Sequence, residues 1–212
     1  MSFTTLALDT STAHGAVAVA REGEIIFCET FVSERSHNSQ LFVPLRKALE
    51  TAGADLRRVV VGLGPGSYTG VRIGIAAAQA LAWARKISVI GLPTLIAPEA
   101  KPPAEFAFCG DARRGVYFMA KISQGQLDGE IQQFPAAQFP DRRAEFGPVP
   151  WYSFDAKSPL DLPDVKLVRP SASSLALQAA GYRDEDVFIL EEKPLEPVYL
   201  APPFITQPVL RH

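Results

Sequence analysis

Apolar positions near the N-terminus come in short runs. Thr4 to Leu8 carries no charge and ends in a polar turn, Asp9-Thr10-Ser11-Thr12. Gly15 to Ala20 alternates Val17 and Val19 with small residues, and Glu24 to Phe31 follows across the Glu22-Gly23 turn. Runs of this length, bounded by glycine and short polar residues, predict three meandering strands. The period then changes. Leu41, Leu45, Ala48, Leu49 and Ala52 recur at three- and four-residue spacing, which predicts a helix over Ser39 to Ala52. Pro44 must then lie in its first turn or kink it. Val59 to Leu63 reads as a buried strand rich in β-branched residues. The glycine-rich segment Gly64-Pro-Gly-Ser-Tyr-Thr-Gly70 opens a second helix reaching about Arg85, and Ile87 to Leu92 is a fifth strand closed by Pro93.

The order β-β-β-α-β-α-β predicts a mixed sheet with helices on its faces. It is the repeating unit of the actin, Hsp70 and sugar-kinase superfamily, whose members carry it twice. The expected fold class is therefore α/β, an actin-like (ASKHA, ribonuclease H-like) duplicated fold of mixed sheets flanked by helices. The Pro98 to Pro103 stretch is proline-rich and charged, a natural hinge. It divides the chain into an N-terminal domain, 1–97, and a smaller C-terminal domain, 98–212, whose tail is able to return to the first. In the second half Phe106 to Cys109, Val116 to Ile122 and Glu130 to Phe134 suit a second meander. Val149 to Phe154 and Val165 to Val168 suit strands, and Ser171 caps a short helix to Ala180. The proline-punctuated tail reads as extended.

Composition narrows the picture. Apolar residues make up 47% of 212, enough for a real core, and the formal charge of −2 supplies no global field toward nucleic acid or anionic membrane. The longest apolar stretch, Ile73 to Ala84, is too short to span a bilayer, and the first residues have no signal-peptide pattern. Cys28 and Cys109 read as buried free thiols of a reducing compartment.

Chemistry concentrates in three turns. The Asp9-Thr10-Ser11 turn can cradle a phosphate or hold a metal-bound water, but these residues by themselves favour a turn whose short polar side chains satisfy its own backbone. The glycine-rich loop lacks the lysine of a P-loop and the spacing of a dinucleotide fingerprint. An anion site at a helix N-terminus and a tight packing turn fit it equally. Asp111-Ala-Arg-Arg-Gly115 occupies the corresponding turn of the second meander. His14, His37 and His212 do not stand at metal-ligand spacing, and His37 suits a helix cap. The helix from Thr69 to Arg85 is apolar nearly all round. Gly70, Gly74, Ala78 and Ala82 form a smooth face, while Ile73, Ala77, Ala80 and Trp83 cover another side. Such a helix needs burial on two sides, one by the sheet and the other by more of the same chain or, since little spare helix is left to cover it, by a partner.

These residues resemble a known family. Leu8-Asp-Thr-Ser-Thr12, Arg35-Ser-His-Asn-Ser39 and above all Gly64-Pro-Gly-Ser-Tyr-Thr-Gly-Val-Arg-Ile-Gly74 are similar to motifs of bacterial TsaB, formerly YeaZ. Asp111-Ala-Arg-Arg-Gly115 and Glu196-Pro-Val-Tyr-Leu200 follow in the same order. The resemblance implies a cytoplasmic subunit of the machinery that makes threonylcarbamoyladenosine in tRNA, similar to the catalytic subunit TsaD without its activity. It implies a heterodimer with a TsaD-like subunit through the N-terminal helices, a TsaE-like ATPase joining them, a homodimer when isolated, and tRNA reached only indirectly. The residues expected to carry the contact are Leu41, Leu45, Val71, Gly74, Ile75, Ala78 and Ala82. Asp9, Thr10, Ser11 and Asp111 would line a vestigial nucleotide cleft, with no cofactor expected. The catalytic relative's H-x-x-x-H metal site falls where this chain has Pro93-Thr-Leu-Ile-Ala-Pro98, which offers no transition-metal ligand. The alternatives are a nucleotide-binding kinase-like enzyme and the older reading as a glycoprotease-like (M22) peptidase. The chain departs from the family in three places. Its second half is short, Val116 stands where a glutamate is usual, and the glycine pair expected around Tyr152 to Asp155 is missing.

Overall fold

A computed structural model describes residues 3–32 and 37–200 of the chain. The first sheet holds β1 (Thr4–Asp9), β2 (His14–Arg21), β3 (Glu24–Val32), β4 (Leu56–Gly62) and β5 (Ser88–Leu92) in the order β3-β2-β1-β4-β5. The meander is antiparallel, and β4 and β5 run parallel to β1. A parallel return needs a crossover, and helices α1 (His37–Ala52) and α2 (Tyr68–Arg85) supply both. The second sheet holds β6 (Glu105–Arg113), β7 (Val116–Ser123), β8 (Gln126–Pro135), β9 (Trp151–Ser153) and β10 (Val165–Leu167), in the order β10-β9-β6-β7-β8. Its meander is antiparallel, with β9 and β10 in parallel register. The two sheets share one strand order, and the duplicated actin-like plan stands. The crossovers of the second copy are reduced. α3 (Phe139–Ala144) has six residues, and a single 3-10 turn at Pro159–Asp161 precedes β10.

Both faces of β1 are covered, so all six of its residues are buried. Leu6 and Leu8 point to one face with Val17, Val19, Val59 and Val61, packed under Leu41, Leu45 and Ala48 of α1 and Val71, Ile75 and Ala78 of α2. Each fully buried Leu there contributes about 1.5–3 kcal/mol. On the other face β1 and β2 present alanines, Ala7, Ala16, Ala18 and Ala20. Small side chains let a helix lie close, and α4 (Ala172–Ala180) packs there against β1, β2, β3 and β4 through Ala172, Ala176 and Ala179. Leu175 and the sheet-facing Phe106, Phe108, Phe118 and Ile122 complete a core that both halves share. The outer face of the second sheet closes over Met119, Phe134, Phe139 and Trp151.

The last segment returns to the first sheet. α5 (Asp184–Glu191) packs beside β5 with Val187 inward, and the Val198 N–H donates to the Leu63 carbonyl at 2.8 Å. Leu195 lies over Gly91, and the Tyr199 ring stacks on Tyr68 with centroids 5.1 Å apart. Buried Arg58 of β4, 5% exposed, joins the halves: its guanidinium donates to the Ala179 carbonyl at the end of α4. α1 begins at His37, and Pro44 stands two turns inside it, past the first of the two placements expected. One expectation changes. Cys28 is exposed on the edge strand β3, because the side chains there alternate and Cys28 points away from the core. α5 precedes the proline-punctuated tail, in a stretch for which the sequence predicted no element. The His37 side chain and His212 lie outside the described residues. No described helix is long and apolar enough to cross a membrane.

Candidate functional site

The turn after β1 is closed, not open. Asp9, Thr10 and Ser11 are each fully buried. The Asp9 carboxylate accepts the Ser11 N–H at 2.8 Å and the Thr94 hydroxyl at 2.7 Å, and Thr94 Oγ1 in turn accepts the Gly64 N–H at 3.0 Å. Thr10 donates to the Gly70 carbonyl at 2.7 Å, and the Ser67 N–H donates to the Ser11 carbonyl at 2.6 Å. The glycine-rich loop therefore sits on the turn that was expected to face a ligand. Ser67 caps α2 by accepting the Gly70 N–H at 3.2 Å. Donors that could have cradled a phosphate serve the chain itself.

The glycines follow from this closeness. A Cβ at Gly66 would stand 2.0 Å from the Ser11 carbonyl oxygen, one at Gly62 would stand 1.8 Å from Asp9 Oδ2, and one at Gly74 would stand 2.4 Å from Thr10 Oγ1. Burial pushes the Asp9 carboxyl up from its ordinary value, against the Ser11 and Thr94 hydrogen bonds that favour the charged form. Ser11 Oγ is buried with no hydrogen-bond partner among the described residues. Asp9, Thr10 and Ser11, expected at a nucleotide cleft, are covered here by the loop 64–70 and Thr94.

Asp111 lies apart from this knot. It is exposed in the β6–β7 hairpin, where its carboxylate accepts the Arg113 N–H and its own N–H donates to Asp155 at 2.8 Å. Burial raises the Asp155 carboxyl above its ordinary value. Among the described residues no hydrogen bond joins Asp111 to Asp9, and no three His, Cys, Asp or Glu side chains group as a metal site.

The seven residues expected at the partner contact are also placed otherwise. Leu41, Leu45, Val71, Gly74, Ile75, Ala78 and Ala82 are all buried, and they form the inward faces of α1 and α2. The reason is steric: the smooth Gly and Ala face allows α2 to approach β1, β4 and the Thr10 hydroxyl. The outward face of α2 runs through Arg72, Ala76, Gln79, Ala80 and Trp83 at helical spacing, and Trp83 is 85% exposed. On α1 the outward side shows Phe42 at 57% and Val43 at 52% exposure. A shallow hollow of about 640 Å³ beside Trp83 is lined by Gln79, Ala82, Lys86, Ile87 and Val89. Of the side read from sequence periodicity, Ala80 and Trp83 lie on this face, while Ile73 and Ala77 are half-buried against the core beneath α2.

The model of the TsaD family, tRNA N6-adenosine threonylcarbamoyltransferase, matches residues 31–138. An uncharacterized protein of Mycobacterium tuberculosis is 30% identical over 94% of this chain and 92% of its own. The tRNA threonylcarbamoyladenosine biosynthesis protein TsaB of Bacillus subtilis is 36% identical over 53% of this chain and 52% of its own. The solved structure of YeaZ from Pseudomonas aeruginosa superimposes with a TM-score of 0.67 at 26% identity, covering 93% of this chain and 99% of that one. With the glycine loop, the duplicated sheets and these likenesses together, the chain belongs to the TsaB (YeaZ) family.

Proposed function

We propose that this chain works in tRNA threonylcarbamoyladenosine biosynthesis as a non-catalytic partner of a TsaD-related subunit. The observation that carries the reading is the unpaired apolar face of α1 and α2, with Trp83, Phe42 and Val43 open to solvent. An exposed aromatic beside an apolar hollow, as Trp83 is, is a usual anchor of a protein interface. The packing of Gly66 and Ser67 onto the Asp9 turn supports the non-catalytic part, because a nucleotide or acyl group finds no exposed donor there. In this reading a TsaE-like ATPase joins the pair, and the isolated chain forms a homodimer through the same self-complementary face. Contact with tRNA falls to the partner.

The test is threonylcarbamoyl transfer to tRNA, reconstituted from the TsaD-like and TsaE-like proteins of the same source with and without this chain. The expected result is transfer that depends on the chain, none from the chain alone, and no change on Asp111→Asn. Turnover by the isolated chain, or transfer indifferent to its presence, would overturn the proposal.

A further inference from the structure

A second surface lies across the first sheet from α1 and α2. Val187 and Leu190 of α5 turn toward the shared core that contains Ile90 and Leu92. The opposite side of α5 presents Glu185, Phe188, Ile189 and Glu192 at spacings of three, four and seven residues, so the four share one exposed face. Phe188 is 62% exposed and Ile189 is 56% exposed. An apolar pair is thus bracketed by carboxylates along the helix axis.

Helix chemistry accounts for only part of this charge. Asp184, Glu185 and Asp186 stand in the first turn, where the helix dipole favours acids, and Asp186 accepts both the backbone N–H and the Nε–H of Arg183. Glu191 and Glu192 stand at the other end, where the dipole disfavours them, and the last turn holds no basic residue. Glu192 makes no ion pair among the described residues, whereas Arg183 pairs with Glu185 and Asp186. From Arg183 to Glu196 six carboxylates stand against two cations, Arg183 and Lys193, and Asp184 also pairs with Arg58, although the whole chain has a formal charge of only −2. The rest of the molecule is therefore net positive, and the negative charge collects around Phe188 and Ile189.

We infer that the outward face of α5 docks a partner protein whose contact segment is apolar with a basic rim. Charge complementarity selects this occupant. RNA and an anionic lipid surface are repelled by the same carboxylates, while a basic segment is steered to them and held by Phe188 and Ile189. Because α5 lies on the other side of the sheet, this contact and the one on α1 and α2 can be filled together.

The experiment titrates the full chain with a fluorescent amphipathic helical peptide of leucine and lysine, at low and physiological salt, and in a separate titration with fluorescent tRNA. Thermal melts confirm that each variant is folded, which the exposure of the substituted side chains favours. The expected result is salt-sensitive peptide binding, weakened about tenfold by Phe188→Ser and again by the Glu185→Lys, Glu192→Lys pair, and unaffected by Trp83→Ala. No peptide binding, equal binding by the α5 variants, or binding of tRNA that the α5 variants weaken would overturn the inference. The Trp83→Ala arm keeps a failure here separate from a failure of the interface on α1 and α2.

Discussion

Gly66→Ala adds one carbon where there is no room for it. The new Cβ would stand 2.0 Å from the Ser11 carbonyl oxygen and 2.8 Å from its carbon, both backbone atoms. An ordinary C···O contact is about 3.3 Å, so the loop must retreat by more than about 1 Å. That movement breaks the 2.6 Å bond from the Ser67 N–H to the Ser11 carbonyl. Overpacking costs about 1–3 kcal/mol, and a buried acceptor left without its donor costs about 1–3 kcal/mol more. A loss of about 2–6 kcal/mol lowers Tm by about 4–24 °C in a chain of this size. Thermal and urea melts followed by circular dichroism measure it. Gly129→Ala is the control. Gly129 has a φ of +80° and nothing within 4 Å of a new Cβ, so only the left-handed backbone penalty of about 1–2 kcal/mol applies. If Gly66→Ala melts within a degree of the wild type, or no lower than Gly129→Ala, the sealed turn is not a feature of the folded protein.

Other consequences follow from buried groups. Arg58→Ala leaves the Ala179 carbonyl without its donor and opens space between the halves, so it should cost about 2–4 kcal/mol in a urea melt. Asp184→Asn, at an exposed partner 3.8 Å away, should change stability by less than about 0.5 kcal/mol. A thiol reagent should modify exposed Cys28 at once and Cys109 only on unfolding, because burial pushes the Cys109 thiol up to about 12; rapid reaction of both contradicts this. The raised Asp9 carboxyl binds its proton more tightly in the folded state. Its contribution to stability is present at acid pH and is lost as pH rises through the folded pKa. Wild type should then lose stability with rising pH relative to Asp9→Asn over the window above the ordinary aspartate value, and parallel pH profiles would contradict the raised pKa.

The first sheet was legible because its signals are local. Short apolar runs ending at Asp9, Arg21 and Gly62, and a glycine loop between strand and helix, mark every element as far as β5. The facing of α2 was not legible. Two of its sides are apolar, and periodicity alone does not say that the Gly74 and Ala78 side wins the sheet. That choice depends on how near Thr10 Oγ1 approaches, a contact between residues far apart in the chain. The same long-range closeness hid the sealing of the Asp9 turn, whose residues suit a phosphate as well as they suit Gly66. In the second half α4 was readable from its serine cap and alanine face. α5 escaped because only Val187 of its eight residues is buried, which leaves a weak helical period. The long second meander strand β8 was read too short because most of its side chains are exposed.

The most direct measurement is the affinity of this chain for the TsaD-like subunit of its own source, by titration calorimetry, for wild type and Trp83→Glu. Trp83 is exposed in the free chain, so the variant should keep its melting temperature. The account predicts tight wild-type binding that weakens at least about thirtyfold in the variant, the effect of about 2 kcal/mol at an anchor residue. Unchanged affinity in a folded Trp83→Glu variant would contradict the assignment of the outward face of α1 and α2 as the partner surface.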